Sequence, residues 1–195
     1  MTPRAKHQML IAAFVLAHVP IAVTSDAAII RVPADVATIQ QGIDAAVAGD
    51  TVLVSPGTYH ERIDFHGKPI TVASDQGPDV TVIDGQHGGI VVFFQSHEGR
   101  DSVLTGFTIT GGQFLYGGGG VAISGSSPTV IGNTITKNSG CEGVGVVIGG
   151  GAPRIERNRI VGNSIDLCTG GWGIGIFVLG NNGVAAGGNR RQHYF

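Results

Sequence analysis

Charge is scarce in this chain. Only 13% of its 195 residues are charged, the formal net charge is −2, and Lys and Arg form no run. That leaves no tract to neutralise phosphates, so nucleic acid is not a predicted partner. Methionine occurs only at positions 1 and 9, so no thioether is available beyond the N-terminus for a soft copper site. The histidines past residue 50 (His60, His66, His87, His97 and His193) show no ligand spacing, and aspartates do not cluster as calcium would need. No metal and no cofactor is therefore predicted, with calcium the one alternative left open and no residue pattern supporting it. Two cysteines are too few for a disulfide-built scaffold. No apolar run approaches the length of a membrane span; the longest, residues 9–23, is interrupted by Pro20. Amphipathic stretches of 10 to 15 residues are absent after residue 50, which excludes leucine-rich and ankyrin repeats.

What is present is a repeat. Ser127-Pro128 through Asn133, Ile135 and Asn138-Ser139 is echoed at an offset of 25 by Ala152-Pro153 through Asn158, Ile160 and Asn163-Ser164. A weaker copy, Thr108-Ile109-Thr110, precedes Thr134-Ile135-Thr136 by 26, and the residues from Gly173 follow those from Gly143 by 30. A fixed period of this size means stacked units. Within each unit, β-branched residues alternate in short runs separated by Gly, Asn, Ser and Pro, which is strand and turn chemistry. The composition fits an ordered chain, since 42% is apolar and patterned, and the 33 glycines have no three-residue period. The predicted fold is all-β: a right-handed single-stranded parallel β-helix, the hand expected for parallel crossovers. Asn133 is expected over Asn158 and Asn138 over Asn163, as turn ladders satisfying backbone groups.

The N-terminus reads as a signal peptide over residues 1–27. Arg4 and Lys6 precede the apolar segment, and Ser25 and Ala27 are small residues at a cleavage site. The predicted location is secreted, periplasmic or cell-surface, with no membrane association after cleavage. Residues 28–195 then form one β-helix domain that reads as incomplete at its C-terminus. Continuing the repeat places Arg190 or Arg191 at an inward position, and the chain ends at Phe195 without a cap. After a strand at 29–32, residues 38–48 are predicted to form a capping helix. Thr38 is its N-cap, Gln41 reaches back, Ile39, Ile43 and Val47 share one face, and Gly49 is the C-cap. Strands are expected at 51–54, 59–65, 70–73, 80–83, 90–95 and 103–110.

The opening, Ala37-Thr-Ile-Gln-Gln-Gly through Val52-Leu-Val-Ser-Pro-Gly-Thr-Tyr-His-Glu61, then Gly67-Lys-Pro and Gly77-Pro-Asp-Val-Thr-Val-Ile-Asp-Gly85, resembles that of pectin-lyase-like right-handed parallel β-helix proteins. The resemblance spans about residues 29–180 and implies the fold. It implies polysaccharide chemistry only broadly, because polygalacturonases, lyases and esterases share this opening. Their catalytic motifs do not map onto this chain. Asn133-Thr-Ile135 stands where polygalacturonase relatives have Asn-Thr-Asp, and Arg154-Ile-Glu156 where they have Arg-Ile-Lys; Gly-His-Gly and a paired Asp-Asp are missing.

The loops 111–120, 139–145 and 164–175 fall at one turn of successive coils, and such loops on a rigid scaffold carry function. They gather Gln113, Phe114, Tyr116 and Trp172 as candidate sugar-binding residues. Glu142 and Asp166 are candidate acid–base carboxylates, with Arg159 a third catalytic candidate. The predicted function is binding or processing of polysaccharide without full catalytic machinery. The alternatives are a lyase, esterase or hydrolase of that superfamily, or a non-enzymatic structural solenoid. Cys141 and Cys168, 27 residues apart in matching loops, are predicted to pair once exported.

Overall fold

The structure, a computed structural model, describes residues 26–115, 117–166 and 173–179. The predicted signal segment up to residue 25, Tyr116, Cys168, Trp172, Arg190, Arg191, His193 and the last residues of the chain lie outside them. Among the described residues no helix is long and apolar enough to cross a membrane.

The chain winds as stacked coils. It enters through β1 (Ile29–Val32) and α1 (Ile39–Ala45). The first coil holds β2 (Thr51–Val54), β3 (Gly57–Tyr59) and β4 (Ile63–Asp64). The second holds β5 (Thr71–Ser74), β6 (Thr81–Asp84) and β7 (Val92–Phe94). The third contains β8 (Val103–Thr105), β9 (Thr108–Thr110), β10 (Gln113–Phe114) and β11 (Val121–Ser124). The fourth repeats it with β12 (Thr129–Ile131), β13 (Thr134–Thr136), β14 (Ser139–Gly140) and β15 (Val146–Gly149). The fifth holds β16 (Arg154–Glu156), β17 (Arg159–Val161) and β18 (Ile176–Val178).

Three parallel sheets line the solenoid: β1-β2-β5-β8-β12-β16, β3-β6-β9-β13-β17 and β4-β7-β11-β15-β18, with β10-β14 as a short fourth. Register follows the sequence repeat: Ile135 pairs with Ile109 and Ile160, and Val130 with Leu104 and Ile155. Inward residues stack into one column that includes Val52, Val72, Leu104 and Val130, closed laterally by Phe65, Phe94 and Phe107. Ile135 is fully buried, whereas Ile160 is only half-buried, because it lies in the last described coil.

The asparagine ladders form as expected, and their bonding explains the turns. Asn133 Nδ2 donates to Asn158 Oδ1 at 3.1 Å, and Asn138 Nδ2 to Asn163 Oδ1 at 3.1 Å. Each side chain also reaches the preceding coil: Asn133 Oδ1 accepts from Phe107 N–H, and Asn138 Oδ1 from Gly112 N–H. Buried corner amides that no strand can reach are satisfied in this way.

Four expectations are corrected. Residues 59–65 are not one strand: β3 and β4 belong to different sheets. Residues 103–110 likewise break at Gly106, whose φ of 80° turns the corner between β8 and β9. The helix ends at Ala45 rather than near residue 48, so Val47 is off its face and 57% exposed, and Ala46, not Gly49, is the C-cap. Gln41 does reach back, but to Ala37 N–H, one residue before the Thr38 cap.

The helix stops early because it is held at both ends. Glu61 accepts from Ile39 N–H and Gln40 N–H at 2.9 Å each, and Lys68 Nζ donates to the carbonyls of Ile43, Asp44 and Ala46. Negative charge at the N-terminus and positive at the C-terminus match the helix dipole. Both residues of this opening stretch are thus occupied in fixing the cap. Glu61→Ala is expected to lower stability by about 1–2 kcal/mol, as loss of a helix cap does, read as a shifted denaturant midpoint; an unchanged midpoint would count against the clamp.

Candidate functional site

The loops at one edge lie over one another as the repeat requires. β10 pairs with β14 in parallel, Gln113 opposite Ser139 and Phe114 opposite Gly140, and Ser139 bridges to Ser164. Their spacing is set by glycine. A Cβ at Gly112 would strike Gly119 O, and one at Gly118 would strike Gly143 O. The run Gly118–Gly120 is therefore a backbone-to-backbone packing surface, which makes this edge a built ledge.

On the ledge Gln113 is half-buried, while Phe114 and Leu115 are 38% and 53% exposed. Glu142 is half-buried, and Asp166 is exposed with its carboxylate accepting from the Ser164 hydroxyl. Of the four predicted sugar-binding residues, Gln113 and Phe114 share this edge, and Tyr116 and Trp172 lie outside the described residues. Arg159 stands apart from Glu142 and Asp166: it belongs to β17 on the second sheet. Cys141 is disulfide-bonded, and its predicted partner Cys168 lies outside the described residues. Non-reduced peptide mapping is expected to return a linked Cys141–Cys168 peptide; both cysteines recovered as thiols would reject the pairing.

Two groups on the same side are not singled out by the sequence pattern. One is an outward row on the third sheet, in which Asp64 pairs with Phe93, Phe93 with Ala122, Ala122 with Val147 and Val147 with Phe177. Gly143 and Gly173 lie against Phe177, so this row adjoins the loops. The small Ala122 sits between larger neighbours, a shallow apolar strip. The signal was available in strict alternation: Val92 and Phe94 point inward, so Phe93 points out.

The other group is polar and belongs to the first two coils. His60 Nδ1 lies 3.3 Å from Asp84 Oδ2, and Asp84 Oδ1 accepts from Gln86 N–H. Arg62 lies over Gly88 and Gly89, and a side chain at Gly89 would collide with its guanidinium. These groups can hydrogen-bond hydroxyls and carboxylates from the open surface. Among the described residues no three of His, Cys, Asp and Glu converge as metal ligands.

Stacked parallel coils, asparagine-laddered corners and a glycine-packed loop edge define a parallel β-helix solenoid. Within that class, the chain belongs to the family described as protein of unknown function DUF1565, which matches residues 65–186 and is associated with β-helix proteins. No curated protein matches the chain, and no solved structure does.

Proposed function

We propose that this is an exported β-helix protein of the pectin-lyase-like superfamily, delivered to the periplasm, the cell surface or the medium, that binds an extended polysaccharide along its loop edge. The observation that carries the reading is the ledge itself. Exposed Phe114 and Leu115 stand beside Gln113 on a rigid stack of loops, flanked by the Phe93–Phe177 row. Apolar rings cover the C–H faces of sugars, and amides and carboxylates satisfy their hydroxyls. Coils repeating at about 4.8 Å offer a regular track for a chain polymer. The cleavage motifs of polygalacturonase relatives do not map onto this sequence, so binding without backbone cleavage is the expected behaviour.

The test is a broad glycan array with the processed chain, residues 28–195. Phe114→Ala and Trp172→Ala are each expected to weaken binding about tenfold, the scale expected when a recognition site is deprived of one aromatic ring. Absence of any glycan ligand would leave the structural solenoid. Release of unsaturated or reducing ends, abolished by Glu142→Gln or Asp166→Asn, would instead establish an enzyme.

A further inference from the structure

The outer face of the second sheet is unlike the loop edge. Arg159 lies on the outer face of the second sheet, in the row Thr108–Thr134–Arg159. Arg157 and Lys137 stand at the two ends of the short turns that bound this sheet, both exposed and both in the left-handed region, with φ 52° and 55°. In the adjacent coils the same two positions are filled by glycine. Gly106 and Gly132 precede Arg157 in one column, and Gly111 and Gly162 flank Lys137 in the other, all with positive φ. A side chain in this conformation is strained where glycine is not. Two coils therefore keep a long cation at positions that their neighbours fill without strain.

The charge is also unevenly placed. The chain carries 14 acidic residues, yet only Glu142, Glu156 and Asp166 follow Asp101. Glu142 and Asp166 belong to the loop edge, and Glu156 is paired with Arg154 at 2.7 Å. Arg100, which donates to Ala152 O, lies in the turn before β8, away from these three. Among the described residues, the outer face of the second sheet in the fourth and fifth coils is thus exposed and basic.

We propose that Lys137, Arg157 and Arg159 form a binding face for an anionic polysaccharide, an inference that rests on the glycan reading above and gives it a charge. The face is rigid, and Thr108, Thr110, Thr134 and Thr136 of β9 and β13 place hydroxyls along it. No aromatic residue lies in β9, β13 or β17 on which a nucleic-acid base could stack. Carboxylated and sulfated polymers share the recognising chemistry, charge-assisted bonds to guanidinium and ammonium groups.

The substitutions that test this are already present in the neighbouring coils: Lys137→Gly, Arg157→Gly and Arg159→Thr, combined in one variant of the processed chain. Binding is measured by calorimetry at low and physiological salt, against a polyuronate, a sulfated glycosaminoglycan, a neutral galactan and duplex DNA. The wild-type chain is expected to bind a charged glycan with salt-sensitive affinity. The triple variant is expected to lose about tenfold or more with a flatter salt dependence, as counterion-releasing contacts are removed, while its melting temperature stays level or rises. Charged-glycan affinity equal in variant and wild type overturns the proposal, as does DNA binding as tight as the glycan. Wild-type binding of the neutral glycan alone defeats this inference and leaves the loop-edge reading standing. Absence of binding to all of the glycans defeats both.

Discussion

Glu98→Gln is expected to destabilise the fold by about 2–4 kcal/mol, because a buried carboxylate holding several donors cannot be replaced by an amide without leaving one of them opposed. Glu98 is 1% exposed. Its Oε1 accepts from Gly67 N–H at 2.8 Å, and its Oε2 accepts from Ser96 N–H at 2.9 Å and from the Ser126 hydroxyl at 2.7 Å. Gly67, Ser96 and Ser126 belong to three successive coils, so one side chain ties the coils at that corner. An amide would turn its NH2 toward one of these donors. Burial pushes the Glu98 carboxyl up, but bonds from Ser126, Gly67, its own N–H and Ser96 outweigh that and hold it below the ordinary value of 4.5. A depressed carboxyl contributes stability that is present above its unfolded value and lost as pH falls through the folded one. The stability of the wild-type chain should therefore drop below about pH 4.5 by a component that Glu98→Gln lacks. Denaturant unfolding at pH 7, 4.5 and 3.5 reads both effects; a variant that tracks the wild type at every pH would exclude the clamp.

The difference between what is legible in the sequence and what is not lies in the range of the interactions. The period of 25 places Asn133 on Asn158 and Ile135 on Ile160 in register, because a stacked fold turns repetition directly into contact. Coil corners are harder. In 103–110 the inward residues are Leu104, Phe107 and Ile109, spaced three and then two. That single step of three marks the corner at Gly106, yet the stretch reads as a continuous strand when only its β-branched content is weighed. The step recurs in Val130, Asn133, Ile135 and Asn138, so it is the more general signature of this solenoid. Glu98 reads as loop punctuation, since its partners Gly67 and Ser126 are 31 and 28 residues away and no local pattern connects them. Lys68 likewise gives no sign of ending a helix 22 residues upstream. At the loop edge, the repeat supplies the stacking of Gln113 and Phe114 on the following loop, but not Phe93, Arg62 or the His60–Asp84 contact. The last two depend on side chains that meet between coils at the turn following the second sheet, and reading 59–65 as one strand leaves out the turn that carries His60 and Arg62.

The second large effect is expected at Asn138, where fold and ledge meet. Asn138 is fully buried. Its Oδ1 accepts from Gly112 N–H at 2.9 Å, and its Nδ2 donates to Ile109 O, Thr136 O and Asn163 Oδ1. Asn138→Ala strands the Gly112 amide in the interior, and should cost about 2–5 kcal/mol, the sum of an unmet buried donor and the broken bonds of a connected network. Asn138→Asp should cost more, since a carboxylate would face three acceptors at the sites that Nδ2 now serves. Asn163 holds the Asn138 backbone N–H at 3.0 Å as well as its side chain, so the two asparagines belong to one network. Asn163→Ala combined with Asn138→Ala should therefore be less damaging than the two single losses added together. The damage should also be local. Gly112 N–H and Ser139 N–H are held between the same two coils, the latter by Gly112 O at 2.8 Å, so both amides should exchange with solvent faster, while those of α1 do not. Glycan affinity should fall with them although Asn138 itself is buried, because Phe114 and Gln113 ride on the turn that Asn138 anchors. Uniform exchange across the chain in Asn138→Ala, or an unaltered Gly112 amide, would show that the ledge does not depend on the ladder.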